Sequence, residues 1–295
     1  MRKPKSESAF SWRRYVLASL LASFAQAGFA ESPGSSNDVR LQQRDVAIRG
    51  VHDLRVSSQM IARLADEAVN GYAPSFDSLA LQRNSIEKAF EDIGNTQDLS
   101  GCDSFDEVKR VWSRTRKEVD SIISARSSVL AASEASDQFI RAASRLEMAI
   151  DSLVRVMLER GSSPSQLVVA TRLQVLAGRM GRRMYEIRYG NDHQAFLERD
   201  LLFSERIVEG FRAGDEELGV LRLSNETMAS LDPALTSLQQ ARRIHDELKS
   251  ALPVAFRAMS SSEFVSAEAV IFLEQADRFA DDVANSGESG ACSIH

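Results

Sequence analysis

The chain says nearly the same thing twice, about 119 residues apart, and this internal repeat limits the folds open to it more than any other feature. The first copy reads Leu54-Arg-Val-Ser-Ser-Gln-Met-Ile-Ala-Arg63, and its helix-length continuation ends in Asn70-Gly71. The second reads Leu173-Gln-Val-Leu-Ala-Gly-Arg-Met-Gly-Arg182 and ends in Tyr189-Gly190. Leu54 aligns with Leu173, Val56 with Val175, Ile61 with Met180, Arg63 with Arg182, Glu67 with Glu186 and Gly71 with Gly190. Each copy runs on to a Phe (Phe76, Phe196) and an amphipathic segment ending near another (Phe90, Phe211). A unit this long exceeds the roughly 20–50 residues of solenoid repeats, so it reads as a duplicated helical module.

The pattern inside each copy is helical. Leu54, Ser58, Ile61, Leu64, Ala65 and Ala68 recur at three- and four-residue steps, which places them on one helix face. Gly71 and Pro74 stop that helix, and Ser75 is a candidate cap for the next, over 75–94, with an apolar stripe of Phe76, Leu79, Ile86, Phe90 and Ile93. From Cys102 to Arg160 there is neither Gly nor Pro, and the Ser-rich patch between Ser124 and Ser136 is the expected break. Gly161-Ser-Ser-Pro164 closes the first module and opens the second. Further helices are expected over 164–189, 193–213, 225–252 and 262–286, the last two separated near Pro253 and Ser260-Ser261-Ser262. Four helices per module with mostly short connections predict an all-α fold of two tandem antiparallel four-helix bundles, over 39–162 and 163–288, with a tail over 289–295.

The first thirty residues read as an address. Arg2, Lys3, Lys5, Arg13 and Arg14 precede a short apolar run from Tyr15 to Phe24, with cleavage options after Ala27 or Ala30. This is the layout of a secretory signal peptide, and the run falls short of the roughly 20 residues a membrane span needs. Residues 31–38 are a flexible leader, and the expected location of the mature chain is the periplasm. Removing residues 1–30 takes away five basic residues and one acid, leaving 31 Lys+Arg against 41 Asp+Glu, a net charge of −10. Such a chain is poorly suited to nucleic acid, whose binding is dominated by phosphate neutralisation.

Few residues suggest catalysis, and the expectation is a protein that is not an enzyme and holds no cofactor or metal. The histidines are His52, His193, His245 and His295, with no His-x3-His pair and no Glu-x-x-His element. Neither a Gly-rich phosphate loop nor Gly-x-Ser-x-Gly is present. Cys102 and Cys292 are the two cysteines; an even count in an exported chain favours a disulfide between them, two free thiols being the alternative.

The arginines of the repeated motif carry more. Arg55 and Gln59 lie four residues apart with Ser58 beside them, and Arg172, Arg179 and Arg183 recur at steps of seven and four. Arginine on a helix face can hold a small oxyanion or carboxylate through two parallel hydrogen bonds. The alternative is pairing with neighbouring acids such as Asp53, Glu67, Glu186 or Asp192.

Asp53-Leu-Arg-Val-Ser-Ser-Gln-Met-Ile-Ala-Arg63 resembles the first-helix signature of the PilJ-type sensory domain, approximately Gly-Arg-Gln-Arg-Met-Leu-Ser-Gln-Arg. Arg55, Ser58 and Gln59 match that pattern, and Arg172, Leu176 and Arg179 match it again in the second copy. Trp112 to Val129 and Leu167 to Gly219 also look similar to these transducers. The family forms the periplasmic part of type IV pilus chemotaxis transducers and is related to the sensors of nitrate/nitrite kinases. The resemblance implies that Arg55 sits where those sensors hold an anion between two subunits. Met60 and Asp53 depart from the fuller pattern, and Gln174 stands at the Arg55 position of the second copy.

The resulting expectation is a sensory protein that binds a small anion or carboxylate through Arg55, Ser58, Gln59, Arg172 and Arg179. It would report to a membrane-bound chemotaxis-type transducer or pilus component. The alternative is an envelope interaction module without a small ligand. Small residues such as Ala131-Ala132 and Ala142-Ala143 would permit docking or a homodimer.

Overall fold

The computed structural model describes residues 36–96 and 102–289, with side chains from 45 to 285. Residues 1–30, read from the sequence as a signal peptide, and Cys292 lie outside the described residues. Contacts divide the chain into residues 1–40 and 41–295. Within the first unit only the helical residues 36–40 are described, and the helix packing belongs to the second.

The fold is all-α. Helix α1 spans Ser36–Val69, α2 Ala73–Gly94, α3 Asp103–Ser124, α4 Arg126–Glu159, α5 Pro164–Arg188, α6 Gln194–Ala213, α7 Asn225–Met228 and α8 Asp232–Ser289. The only extended pairing among the described residues is one isolated bridge between Asp215 and Val220. Helix α1 begins at Ser36, three residues before the start that periodicity sets.

The turns follow their local chemistry. Gly71, with φ of 91°, takes the left-handed conformation after α1, and a Cβ there would meet Ser133 Oγ at 2.5 Å. Ser163 caps α5 through a capping box with Gln166, and Pro164 occupies the first helical turn, where its missing N–H costs nothing. Ser75 does not cap α2, which starts earlier with Tyr72 at its cap position. Its hydroxyl instead donates to Glu67 Oε2 at 2.7 Å and ties α2 to α1.

The expected break after Ser124 is present but slight. Ala125 keeps right-handed helical angles (φ −79°, ψ −2°), and its N–H bonds to Ser121 and Ile122 oxygens while its own oxygen accepts from Val129. Helices α3 and α4 therefore form one nearly continuous rod. The break expected around Pro253 does not occur, and α8 is one helix of 58 residues with Pro253 inside it. An interior proline costs about 3 kcal/mol. Here its ring is exposed while Leu252, Ala255 and Ala258 beside it are buried, so packing holds the helix through.

Rod α3–α4 and helix α8 run antiparallel along their whole lengths. Phe105 stacks on Phe279 with ring centroids 5.1 Å apart, Trp112 meets Phe272 at 6.0 Å, Arg114 meets Glu268 at 3.0 Å, and Arg145 donates to Gln240 at 2.9 Å. Each later residue on one rod meets an earlier one on the other. The helices accordingly make contacts across the two repeats. Hairpin α1–α2 packs with α3 and the C-terminal half of α8, while hairpin α5–α6 packs with α4 and the N-terminal half of α8. Each four-helix grouping thus draws on both sequence repeats. The buried apolar residues form one cluster from Ala47 to Val283.

Candidate functional site

The motif residues of the first repeat point in different directions. Arg55 is half-exposed and pairs with Asp277 of α8 at 2.6 Å. Ser58 is fully buried, and its hydroxyl donates to the Arg55 carbonyl at 2.7 Å. Gln59 is exposed on the Arg55 side of α1. Arg55 and Gln59 can therefore share a surface, while Ser58 belongs to the core.

In the second repeat, Arg172, Arg179 and Arg183 all face α6, as their spacing requires. Arg179 Nε donates to Asp200 Oδ2 at 2.8 Å, and its Nη2 donates to Oδ1. Arg183 Nη1 donates to Asp200 Oδ2 and also to the Phe196 carbonyl at 2.6 Å. Asp200 is only 1% exposed, so two guanidinium groups compensate one buried carboxylate. Arg172 lies over the Phe203 ring, 5.2 Å from its centroid. The acids that engage Arg55 and Arg179 are Asp277 and Asp200, both distant in sequence, rather than the local acids considered above.

Cys102 is buried at the start of α3 and is disulfide-bonded.

One cluster has no signature in the sequence. On α6 and α8, Glu198 meets Arg242, His245 and Lys249, and Asp246 meets the same three. Arg242 Nη1 lies 2.9 Å from Glu198 Oε1, and Lys249 Nζ lies 3.0 Å from Glu198 Oε2. His245 is 4% exposed, with Nδ1 at 3.3 Å from Glu198 Oε2 and 3.6 Å from Asp246 Oδ1. Its location on the buried stripe of α8, one turn after Ala241, was readable; the acid 47 positions earlier was not.

Charge and burial set the protonation states. Burial works to raise the Glu198 carboxyl, but the Lys249 ammonium and the Arg242 guanidinium, joined by His245 when it is protonated, outweigh it and hold it below the ordinary carboxylate value. Asp246 is likewise lowered: burial opposes, and Lys249 and Arg242 prevail. His245 moves below its ordinary 6.5, chiefly through burial, with Lys249 and Arg242 adding to the effect against the pull of Glu198 and Asp246. A neutral imidazole thus sits between two carboxylates at neutral pH.

Beside this cluster lies a cavity of about 730 Å³ between α6 and α8. Val208, Leu235 and Leu238 supply apolar wall, while Arg212, Arg243, Glu209 and Glu247 supply charge. Among the described residues Arg243 has no ion-pair partner. A concave site with apolar walls and a few charged groups is the usual form of a small-molecule site.

No family profile matches the chain. Over 267 residues it is 22% identical to AlkN of Alcanivorax borkumensis, which is assigned to methyl-accepting chemotaxis, covering 88% of this chain and 39% of that protein. Over 246 residues it is 24% identical to PilJ of Pseudomonas aeruginosa, covering 79% of this chain and 36% of that protein. The chain thus spans well under half the length of either relative. Among the described residues no helix is long and apolar enough to cross a membrane.

Proposed function

We propose that the chain is an exported helical sensory protein of chemotaxis or pilus signalling, which binds a small carboxylate and reports to a membrane-bound transducer. The similarity to AlkN and PilJ over most of this chain is the observation that carries the reading. The region in common is less than half of each signalling protein, as a sensory part would be.

The α6–α8 cavity is the place where we put the ligand. Arg243 and Arg212 suit a carboxylate, and Glu247 together with Glu209, which is paired with Arg212 at 3.4 Å, suits an ammonium on the same molecule. The motif arginines are a second location. An anion at Arg179 would have to displace buried Asp200, whereas one at Arg55 and Gln59 would replace only half-exposed Asp277. Arg172 is open to solvent over Phe203 and would add a charge beside Arg179. The disulfide of Cys102 with Cys292 belongs to the same proposal, since periplasmic conditions preserve such bonds.

A thermal-shift screen of small carboxylates and amino acids tests the reading, with Arg243→Ala and Arg55→Ala as location controls. A ligand that raises Tm in the wild type and loses its effect in Arg243→Ala supports the cavity; loss in Arg55→Ala alone moves the site to α1. If no carboxylate shifts Tm, the small-ligand reading fails. The alternative, a docking module without a ligand, is favoured by apolar side chains exposed on α5 and at its C-terminal cap, namely Val168, Val175, Tyr185 and Tyr189. Recovery of a defined transducer or pilus partner on the isolated protein, with a blank ligand screen, would support that alternative.

A further inference from the structure

In the Glu198–His245–Asp246 cluster, each carboxylate is divided between two tasks. Glu198 Oε1 and Asp246 Oδ2 face Arg242, at 2.9 Å from Nη1 and 3.2 Å from Nε respectively. The other two oxygens, Glu198 Oε2 and Asp246 Oδ1, converge on one place. Both approach His245 Nδ1, at 3.3 and 3.6 Å, and both approach Lys249 Nζ, at 3.0 and 3.3 Å. These three donor atoms lie within 4.8 Å of one another.

His245 supplies an independent sign of a ligand. It is 4% exposed, and its Nδ1 is buried without a hydrogen-bond partner. A buried polar atom left in that state is costly unless something else satisfies it. A tetrahedral ion bonded at about 2.0–2.2 Å holds neighbouring donors about 3.3–3.6 Å apart, which is the spacing found around Nδ1.

We propose that Glu198, His245 and Asp246 bind a divalent transition-metal ion of the Zn(II) type, at the position now filled by the Lys249 ammonium. Lys249 is half-exposed on a flexible stem, so it can swing into solvent when the ion enters. One imidazole and two carboxylates are a borderline donor set that suits Zn(II) better than Ca(II) or Mg(II), which take oxygen shells. Three protein donors leave a fourth position for water on the side Lys249 vacates. Arg242 orients both carboxylates from behind, as outer partners of metal ligands do. The neutral state of His245 is the one that ligates. The ion would tie α6 to α8 at the edge of the cavity, since Arg242 and Asp246 belong to both. This inference is independent of the carboxylate reading, and each can fail without the other.

The test is calorimetric titration of the full mature chain, disulfide intact, with ZnCl2. The wild type is expected to bind one ion at this site. His245→Gln and Glu198→Gln are expected to lose it, and Arg242→Gln to weaken it by about tenfold or more. Lys249→Gln is the decisive variant, because removing the resident ammonium tightens Zn(II) binding, an effect that a merely structural lysine would not produce. Circular dichroism checks that each variant is folded, and exposed Lys249 is the substitution least able to disturb folding. Co(II) in place of Zn(II) gives a visible spectrum that His245→Gln abolishes. The proposal is overturned if ZnCl2 produces no binding heat, if binding survives His245→Gln, or if Lys249→Gln leaves the affinity unchanged.

Discussion

The two ends of the molecule are built from the same repeated sequence but stabilised by different means. Around hairpin α1–α2 the core is aromatic. Phe90 lies 5.9 Å from Phe105 and 6.3 Å from Phe272, Phe105 stacks on Phe279, and Trp112 Nε1 donates to Glu87 at 2.7 Å. Its motif arginine, Arg55, makes a half-exposed ion pair. Around hairpin α5–α6 the core is mostly aliphatic, with Leu173, Leu176, Met180, Met184 and Leu201 buried beside Phe211. Charge has entered that core: Asp200 sits beneath Arg179 and Arg183, and His245 lies beneath Glu198. Both copies form a helical hairpin, but among the described residues the buried ionisable groups, Asp200 and His245, lie at one end. That end is where a ligand or a change of pH has something to act on.

Phe272→Ala should give the largest effect, because it opens a cavity among Phe90 and Trp112. The expected loss is about 4 kcal/mol in denaturant unfolding. A loss below about 1 kcal/mol would mean that the aromatic core is not the main stabiliser of its end.

Next in size, Asp200→Asn should cost about 3 kcal/mol, since it leaves two arginines facing a site without its buried negative charge. Asp277→Asn, the counterpart in the other end, should cost under about 1 kcal/mol because both partners are half in solvent. Equal losses would erase the contrast between the two ends.

The pH response should also separate them. His245 titrates below 6.5 in the folded protein, so the unfolded chain takes up its proton first as pH falls. Stability from this group is present above 6.5 and is lost as pH falls through the lowered folded value. His245→Gln should flatten that part of the stability profile measured by urea unfolding. An unchanged slope would show that another group causes it. Smallest of all, Arg55→Ala should shift unfolding by less than about 1 kcal/mol.

Much of the fold was legible because helix ends are local. Gly71, Gly161 and Gly190 mark turns with positive φ, and Gly161-Ser-Ser-Pro164 marks the α5 start. The weak break after Ser124 was legible too. Pro253 misled, because its cost is local whereas the contacts that carry α8 past it lie on α4, far away in sequence. The exchange of helices between repeats was hidden for the same reason, since periodicity shows which face is buried but not what buries it. The shared face of Arg172, Arg179 and Arg183 could be read from spacing. Their buried partner Asp200, and the meeting of Glu198 with His245, required the packing of α6.

The claim that each end of the molecule uses both repeats is tested most directly by cross-linking. Cysteines placed at Arg114→Cys and Glu268→Cys, on a face where the native side chains are 3.0 Å apart, should be joined within one chain by a short bismaleimide. After proteolysis the peptides around residues 114 and 268 should then remain linked. Separate peptides, from a protein that still folds, would show that each repeat forms its own bundle and would contradict the account.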